Sequence, residues 1–214
     1  MLSIDPRATI ALLIGFVIAI AVHEFCHAAA ARALGDTTAQ RAGRLTLNPL
    51  AHLDPMGTLM LVMTSLAGVG FGWGKPVPVD GRALRLGRLG MALVSAAGPL
   101  SNFVLALGLF AVLPSLASAT GVSRQDLFDL VMLNLGLCAF NLLPIAPLDG
   151  FGVLLGVLPR SLAVQLARLG QYGPVLLLIL VFSGSILRFP VLGFVLRPVV
   201  SFLLDLILRV TGAT

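Results

Sequence analysis

The sequence predicts an all-α polytopic membrane protein: about five transmembrane helices plus a re-entrant hairpin with a short β-like segment. Three observations lead there. Of the 214 residues, 58% are hydrophobic and only 11% are charged, too little charge to coat a water-soluble domain of this size. Apolar runs long enough to cross a bilayer recur at about residues 8–34, 89–113, 127–145, 172–187 and 189–208. Polar and helix-breaking residues gather at a few points inside or beside these runs, where a bilayer tolerates them only if they are paired, bound or buried against protein.

The first run carries His23-Glu24-Phe25-Cys26-His27 directly after Ile10 to Val22, which contain no charged side chain. On a helix His23 and His27 leave one face, separated by about 40° of rotation. Two neutral imidazoles so placed can share one Zn²⁺. Glu24 projects beside them, where a carboxylate can take a proton from a metal-activated water. Three ionisable groups deep in a bilayer are costly unless bound to something, so the spacing reads as a metal site rather than coincidence. Arg7, the apolar run and Ala31-Arg32-Ala33 also mimic a signal peptide with a cleavage site, but the run is long enough to span, and we read it as a retained helix. Gly35 ends it.

Residues 39–55 interleave polar and apolar positions. Arg44-Leu45-Thr46-Leu47 alternates like a strand that Asn48-Pro49 would end. Gly57 to Gly74 is apolar but broken by Gly68, Gly70 and Gly72, which fits a re-entrant hairpin buried against protein better than a full span. Residues 75–88 are polar, with Pro76, Pro78 and three arginines at the surface. The next span holds Gly98-Pro99-Leu100-Ser101-Asn102; a kink and an interhelical hydrogen bond account for Pro99 and Asn102. Ser123 caps a third span that runs into Asn141 and on to Asp149-Gly150, where Pro144 and Pro147 open the helix and Gly150 allows a turn. The last two spans complete the chain, and Pro190, Arg197, Pro198 and Asp205 make the final one irregular. No tandem repeat, long linker or soluble domain is visible, so residues 1–214 form a single integral membrane domain.

A net charge of +5 raises nucleic acid as a partner, but the basic residues are scattered between apolar runs with no basic tract, and read as topology signals and lipid headgroup contacts. With the hairpin returning to its own side, Arg32, Arg41, Arg44, Lys75, Arg82, Arg85, Arg88, Arg160, Arg168 and Arg209 share one side, against Arg7, Arg124 and Arg188. Ten against three makes the first side cytoplasmic and puts the N-terminus outside. Cys26 and Cys138 lie in apolar segments and read as buried thiols, not a disulfide.

A hydrolytic zinc takes three protein ligands and leaves a position for water. Beyond His23 and His27, the third ligand is Asp149, which unwound backbone beside the prolines can bring inward; His52, between Pro49 and Pro55, is the rival, with a loop-fixing role as its ordinary use.

These residues resemble a family, the site-2 proteases, which are intramembrane zinc metalloproteases. The likeness rests on His23 to His27, on Gly98 to Asn102 and on Asn141 to Gly150. It extends to Asn48-Pro49-Leu50-Ala51-His52-Leu53-Asp54-Pro55 and Gly72-Trp73-Gly74-Lys75-Pro76-Val77-Pro78-Val79, which look like segments of the compact bacterial members without PDZ or CBS domains. The resemblance implies a catalytic core at about 8–158 and accessory helices at about 159–214. It implies zinc ligands at His23, His27 and Asp149, a catalytic base at Glu24, and a substrate- or oxyanion-binding amide at Asn141. Leu148 stands where the family often has another residue in Asn-Pro-Asp-Gly, which touches the subgroup but not the ligand. The implied activity is hydrolysis of peptide bonds in transmembrane or membrane-anchored protein substrates, in a multi-pass protein of the bacterial inner membrane. The β-like segment would capture an unwound substrate by edge pairing. The rival functions are a catalytically inactive scaffold, which Glu24 argues against because metal binding does not need it, and a small transporter, for which no inverted repeat is visible.

Overall fold

The computed structural model describes residues 6–66, 72–187 and 190–213. Helix α1 (Pro6–Ala33) ends where Gly35, at φ +104°, adopts a backbone that side chains avoid, and the Asp36 amide closes the last turn onto Ala31 O at 2.9 Å. A short α2 (Thr38–Arg41) and a 3₁₀ turn (Pro49–Ala51) lead to α3 (Pro55–Leu66). An irregular return segment, residues 72–87, ending in turns from 81 onward, precedes α4 (Arg88–Thr120), followed by α5 (Arg124–Asn141), α6 (Asp149–Val157), α7 (Arg160–Leu169), α8 (Gly173–Leu187) and α9 (Val191–Thr211). The Ser123 hydroxyl caps α5 by accepting the Asp126 amide at 3.0 Å.

Helices α1, α4 and α5 form the centre, with α6 laid on α4 and α9 closing one flank. Small residues set the closeness: a Cβ on Gly15 would run into the Leu130 side chain, so α1 and α5 approach there as only glycine permits. Ala106, Val131, Leu135 and Ile207 make a core shared by α4, α5 and α9. Large apolar side chains meanwhile point outward, as Ile10, Ile14 and Ile18 do along α1 and Leu93, Leu100 and Val104 along α4. Polar inside and apolar outside suits lipid as the solvent.

Among the described residues, four stretches are long and apolar enough to cross a membrane: Ile10–Ala33, Arg88–Thr120, Arg160–Gly184 and Val191–Thr211. They match four of the five expected spans. The fifth rested on α5, whose opening turns carry Arg124, Asp126 and Asp129 and which stops at Asn141, short of the expected end. The expected β-like segment is absent: residues 44–47 are irregular, with a bend at Leu45 and Thr46, and no strand occurs among the described residues. Two polar groups break its alternation. Arg44 turns inward, buried, to donate to Ala51 O, and His52 Nε2 donates to Thr46 O at 2.7 Å, so the stretch folds over its own turn. The one isolated β-bridge pairs Leu53 with Gly74. The described ends of Gly57 to Gly74 lie together, with Gly72 against Leu61 and Gly57 O and Trp73 O facing Gly57. Its glycines Gly68 and Gly70 lie outside the described residues. Gly150 provides a close approach rather than a turn: it is buried in the first turn of α6, and a Cβ there would meet Leu142 O and Leu143 O.

Candidate metal centre and active site

Helix α1 presents His23 and His27 to α4 and α6, where both imidazoles are buried. His23 Nε2 lies 3.0 Å from His27 Nε2 and 3.0 Å from Asp149 Oδ2, and His27 Nε2 lies 3.3 Å from the same oxygen. Among the described residues this is the group of three whose ligand atoms converge within 4.8 Å. Asp149 arrives because α5 stops at Asn141, the turns of residues 142–148 reverse the chain, and the aspartate opens α6.

The second nitrogen of each ring decides the chemistry. His23 Nδ1 donates to Asn102 Oδ1 at 2.6 Å, and the assignment holds because Asn102 Nδ2 faces two acceptors, Ala19 O at 3.4 Å and Asn134 Oδ1 at 3.3 Å. Asn134 Nδ2 in turn donates to Leu130 O at 2.9 Å. His27 Nδ1 donates to the Val94 carbonyl at 2.7 Å. With both protons on Nδ1, neutral rings direct two bare Nε2 lone pairs and a carboxylate oxygen at one point. Such a set repels itself unless a cation stands between its members. Ligands about 2.0–2.1 Å from a tetrahedral metal lie about 3.3 Å apart, close to the separations found. Gly98 supplies the remaining wall: a Cβ there would fall onto both Nε2 atoms, in the space an ion needs. The residues present fit a metal ion.

Glu24 lies on the other side. Its Oε2 accepts the Val77 amide at 3.0 Å, so the return segment orients the carboxylate. Glu24, both histidines, Asp149, Asn141 and Trp73 line one cavity of about 530 Å³. Asn141 reaches it from the end of α5 but donates Nδ2 back to Leu137 O at 3.0 Å, so it flanks the metal group without touching it. His52 stands apart from the metal group. Fully buried, it pins Thr46 O with Nε2, and its main-chain carbonyl accepts the Lys75 amide at 2.7 Å. Cys26 is likewise outside the group.

The return segment is clipped to the end of α1. Arg85 N donates to Leu34 O at 2.7 Å, and the buried Asp36 accepts Thr38 N and Asp80 N, both at 2.8 Å. Burial works to raise the Asp36 carboxyl, but its hydrogen bonds from Thr38 and Asp80 and the charge of Arg41 outweigh that and hold it below the usual carboxylate range.

Comparison with curated proteins agrees with this geometry. The chain is 37% identical over 202 residues to the Bacillus subtilis (strain 168) protein named "Putative zinc metalloprotease YwhC", covering 90% of this chain and 88% of that one. The chain belongs to the family of YwhC. It is also similar to proteins named "Putative zinc metalloprotease Rip2", at 32% identity in Mycolicibacterium smegmatis and 34% in Mycobacterium tuberculosis (strain ATCC 25618 / H37Rv). Those matches cover 84% and 80% of this chain, and 69% and 66% of the relatives. No family model matches, and no solved structure does.

In this YwhC-family chain, sequence reading missed Asn134, the Val94 carbonyl and the Val77 amide, and named Gly98 within its motif without the part it plays at the metal group. Asn134 had a signal, being an amide two turns before Asn141 on the same face of an apolar helix. A main-chain carbonyl, a main-chain amide and a missing side chain carry no signal of their own.

Proposed function

We propose that the chain is an intramembrane zinc metalloprotease of the site-2 type, hydrolysing peptide bonds of transmembrane or membrane-anchored proteins. The observation that carries this reading is the meeting of two bare imidazole nitrogens and one carboxylate oxygen at about 3 Å, in a cavity that Glu24 also lines. His23, His27 and Asp149 would hold the zinc. When bound, zinc lowers the pKa of water and polarises a carbonyl. Glu24, held by Val77 N, takes the proton of the attacking water and passes it to the leaving amide nitrogen, so that the C–N bond breaks to a carboxylate and an amine. Asn102 and the Val94 carbonyl keep each imidazole in its ligating tautomer. Asn141 would release Leu137 O and donate to the developing oxyanion. Outward-facing apolar helices support a bilayer setting for this chemistry, in our reading the bacterial inner membrane with residues 36–88 cytoplasmic.

The test is made on the purified full chain with a membrane substrate. Glu24→Gln keeps the size of the side chain and its bond to Val77 N. It is expected to retain zinc and lower hydrolysis by about 10²–10⁴-fold. Zinc is expected to be lost in His23→Ala and Asp149→Ala and kept in His52→Ala. Wild-type cleavage by Glu24→Gln overturns the catalytic assignment. Zinc and client binding without cleavage by the wild-type protein would make the chain a scaffold.

A further inference from the structure

Away from the metal centre, a second cavity of about 310 Å³ opens in the angle between the start of α4, the length of α6 and α7. Its formation follows from two glycines. Gly152 and Gly156 let α6 lie on α4, since a Cβ at 156 would meet Ala92 and Arg88 O, and one at 152 the Ser95 hydroxyl. Pro159 then ends the run, and α7 leaves on a new line, opening a trough walled by Met91, Leu155, Val164 and Ala167.

Arg88 and Arg160 also line this trough, and both are exposed. Their nearness is fixed by one contact: Arg88 Nη2 donates to Leu158 O at 2.7 Å, two residues before Arg160. The same nitrogen also donates to Leu155 O, so Arg88 caps the end of α6 and keeps other N–H donors to spare. Neither arginine is ion-paired to a carboxylate among the described residues. Two cations at one end of an otherwise apolar trough, on a protein whose outer surface faces lipid, match one class of molecule.

We propose that this trough binds a single anionic phospholipid, its phosphate on Arg88 and Arg160 and one acyl chain laid along α6 and α7. The charge pair selects an anionic headgroup over a zwitterionic one, and the trough selects a chain over a free phosphate. A lipid there would brace α7 against the helix that Asp149 opens.

The full-length protein, released from nanodiscs containing equal phosphatidylglycerol and phosphatidylcholine, would be examined by native mass spectrometry for retained lipid. Wild type is expected to keep one phosphatidylglycerol in preference to phosphatidylcholine. Arg160→Gln should weaken that retention by about five-fold, the usual weight of one arginine at an anionic surface. Ala167→Trp, which fills the trough from an exposed position, should abolish it. Neither residue belongs to the metal site, so zinc content serves as the folding control for both. Equal retention of the two lipids, or phosphatidylglycerol retention unchanged in both variants, overturns the proposal. So does retention that follows Ala167→Trp but ignores Arg160→Gln, because the ligand would then be an uncharged chain.

Discussion

The two sides of α1 around the site are built by opposite means. Toward α4, α5 and α6, His23 and His27 meet helices: each Nδ1 is tied to a partner on α4, and Asn102 is itself tied to α1 and α5. Toward the return segment, Glu24 meets a single main-chain amide from irregular and largely exposed residues. A ligand set must be held closely to select its ion, which packed helices achieve. A base must share its cavity with a substrate that comes and goes, which suits a surface segment held by scattered main-chain contacts. On the proposed function, metal retention and substrate handling would separate in this fold, and mutations should separate with them.

The sharpest break is Gly98→Val. Its side chain would occupy the space before both Nε2 atoms, so zinc should fall to background while helix content persists, as metal analysis and circular dichroism would show. Next comes Asn102→Leu. It leaves the ligand set whole but removes the acceptor of His23 Nδ1, and zinc affinity should drop by about 10–100-fold in competition with a chelator. Retention of zinc at wild-type affinity would mean that the helix side is not what orients His23. On the other side, Asp36→Asn trades two acceptor oxygens for one and leaves Thr38 N or Asp80 N short of a partner. Thermal unfolding should reveal a loss of about 1–3 kcal/mol, with zinc affinity unchanged and KM raised. Weakened zinc in this variant would break the comparison.

The smallest effect concerns pH. The Asp36 carboxyl in the folded chain lies below its ordinary value of 3.8, so its contribution to stability is whole above that pH and fades as pH falls through the folded value. Melting temperatures of wild type and Asp36→Asn should therefore stay apart at neutral pH and draw together below about pH 4.

Much of the metal side was legible in the residues. A spacing of four between His23 and His27 forces one helical face, and Asp149 beside two prolines was the one carboxylate placed to come inward. Asn102 read as an interhelical amide, and it is one, although its partner being a ligand histidine depends on a helix pairing that spacing does not state. The return side was far less legible. Arg44 to Leu47 alternates as a strand does, but buried hydrogen bonds from Arg44 and His52 outweigh alternation over four residues. Asp36 read as part of a helix stop, because its partner Asp80 is 44 residues away. The fifth span does not stand out by length and composition, because its apolar run belongs to a helix whose first turns carry charge.

The clips between α1 and the return segment bear on how this chain tolerates changes of length. Val77 is set against Glu24 and Asp80 against Asp36, with three steps between them that reach at most about 10 Å. One residue added there would leave either the base without its amide or the aspartate without its clip. The stretch from 77 to 80 is thus anchored at both ends, by a glutamate on α1 and by an aspartate just past its end.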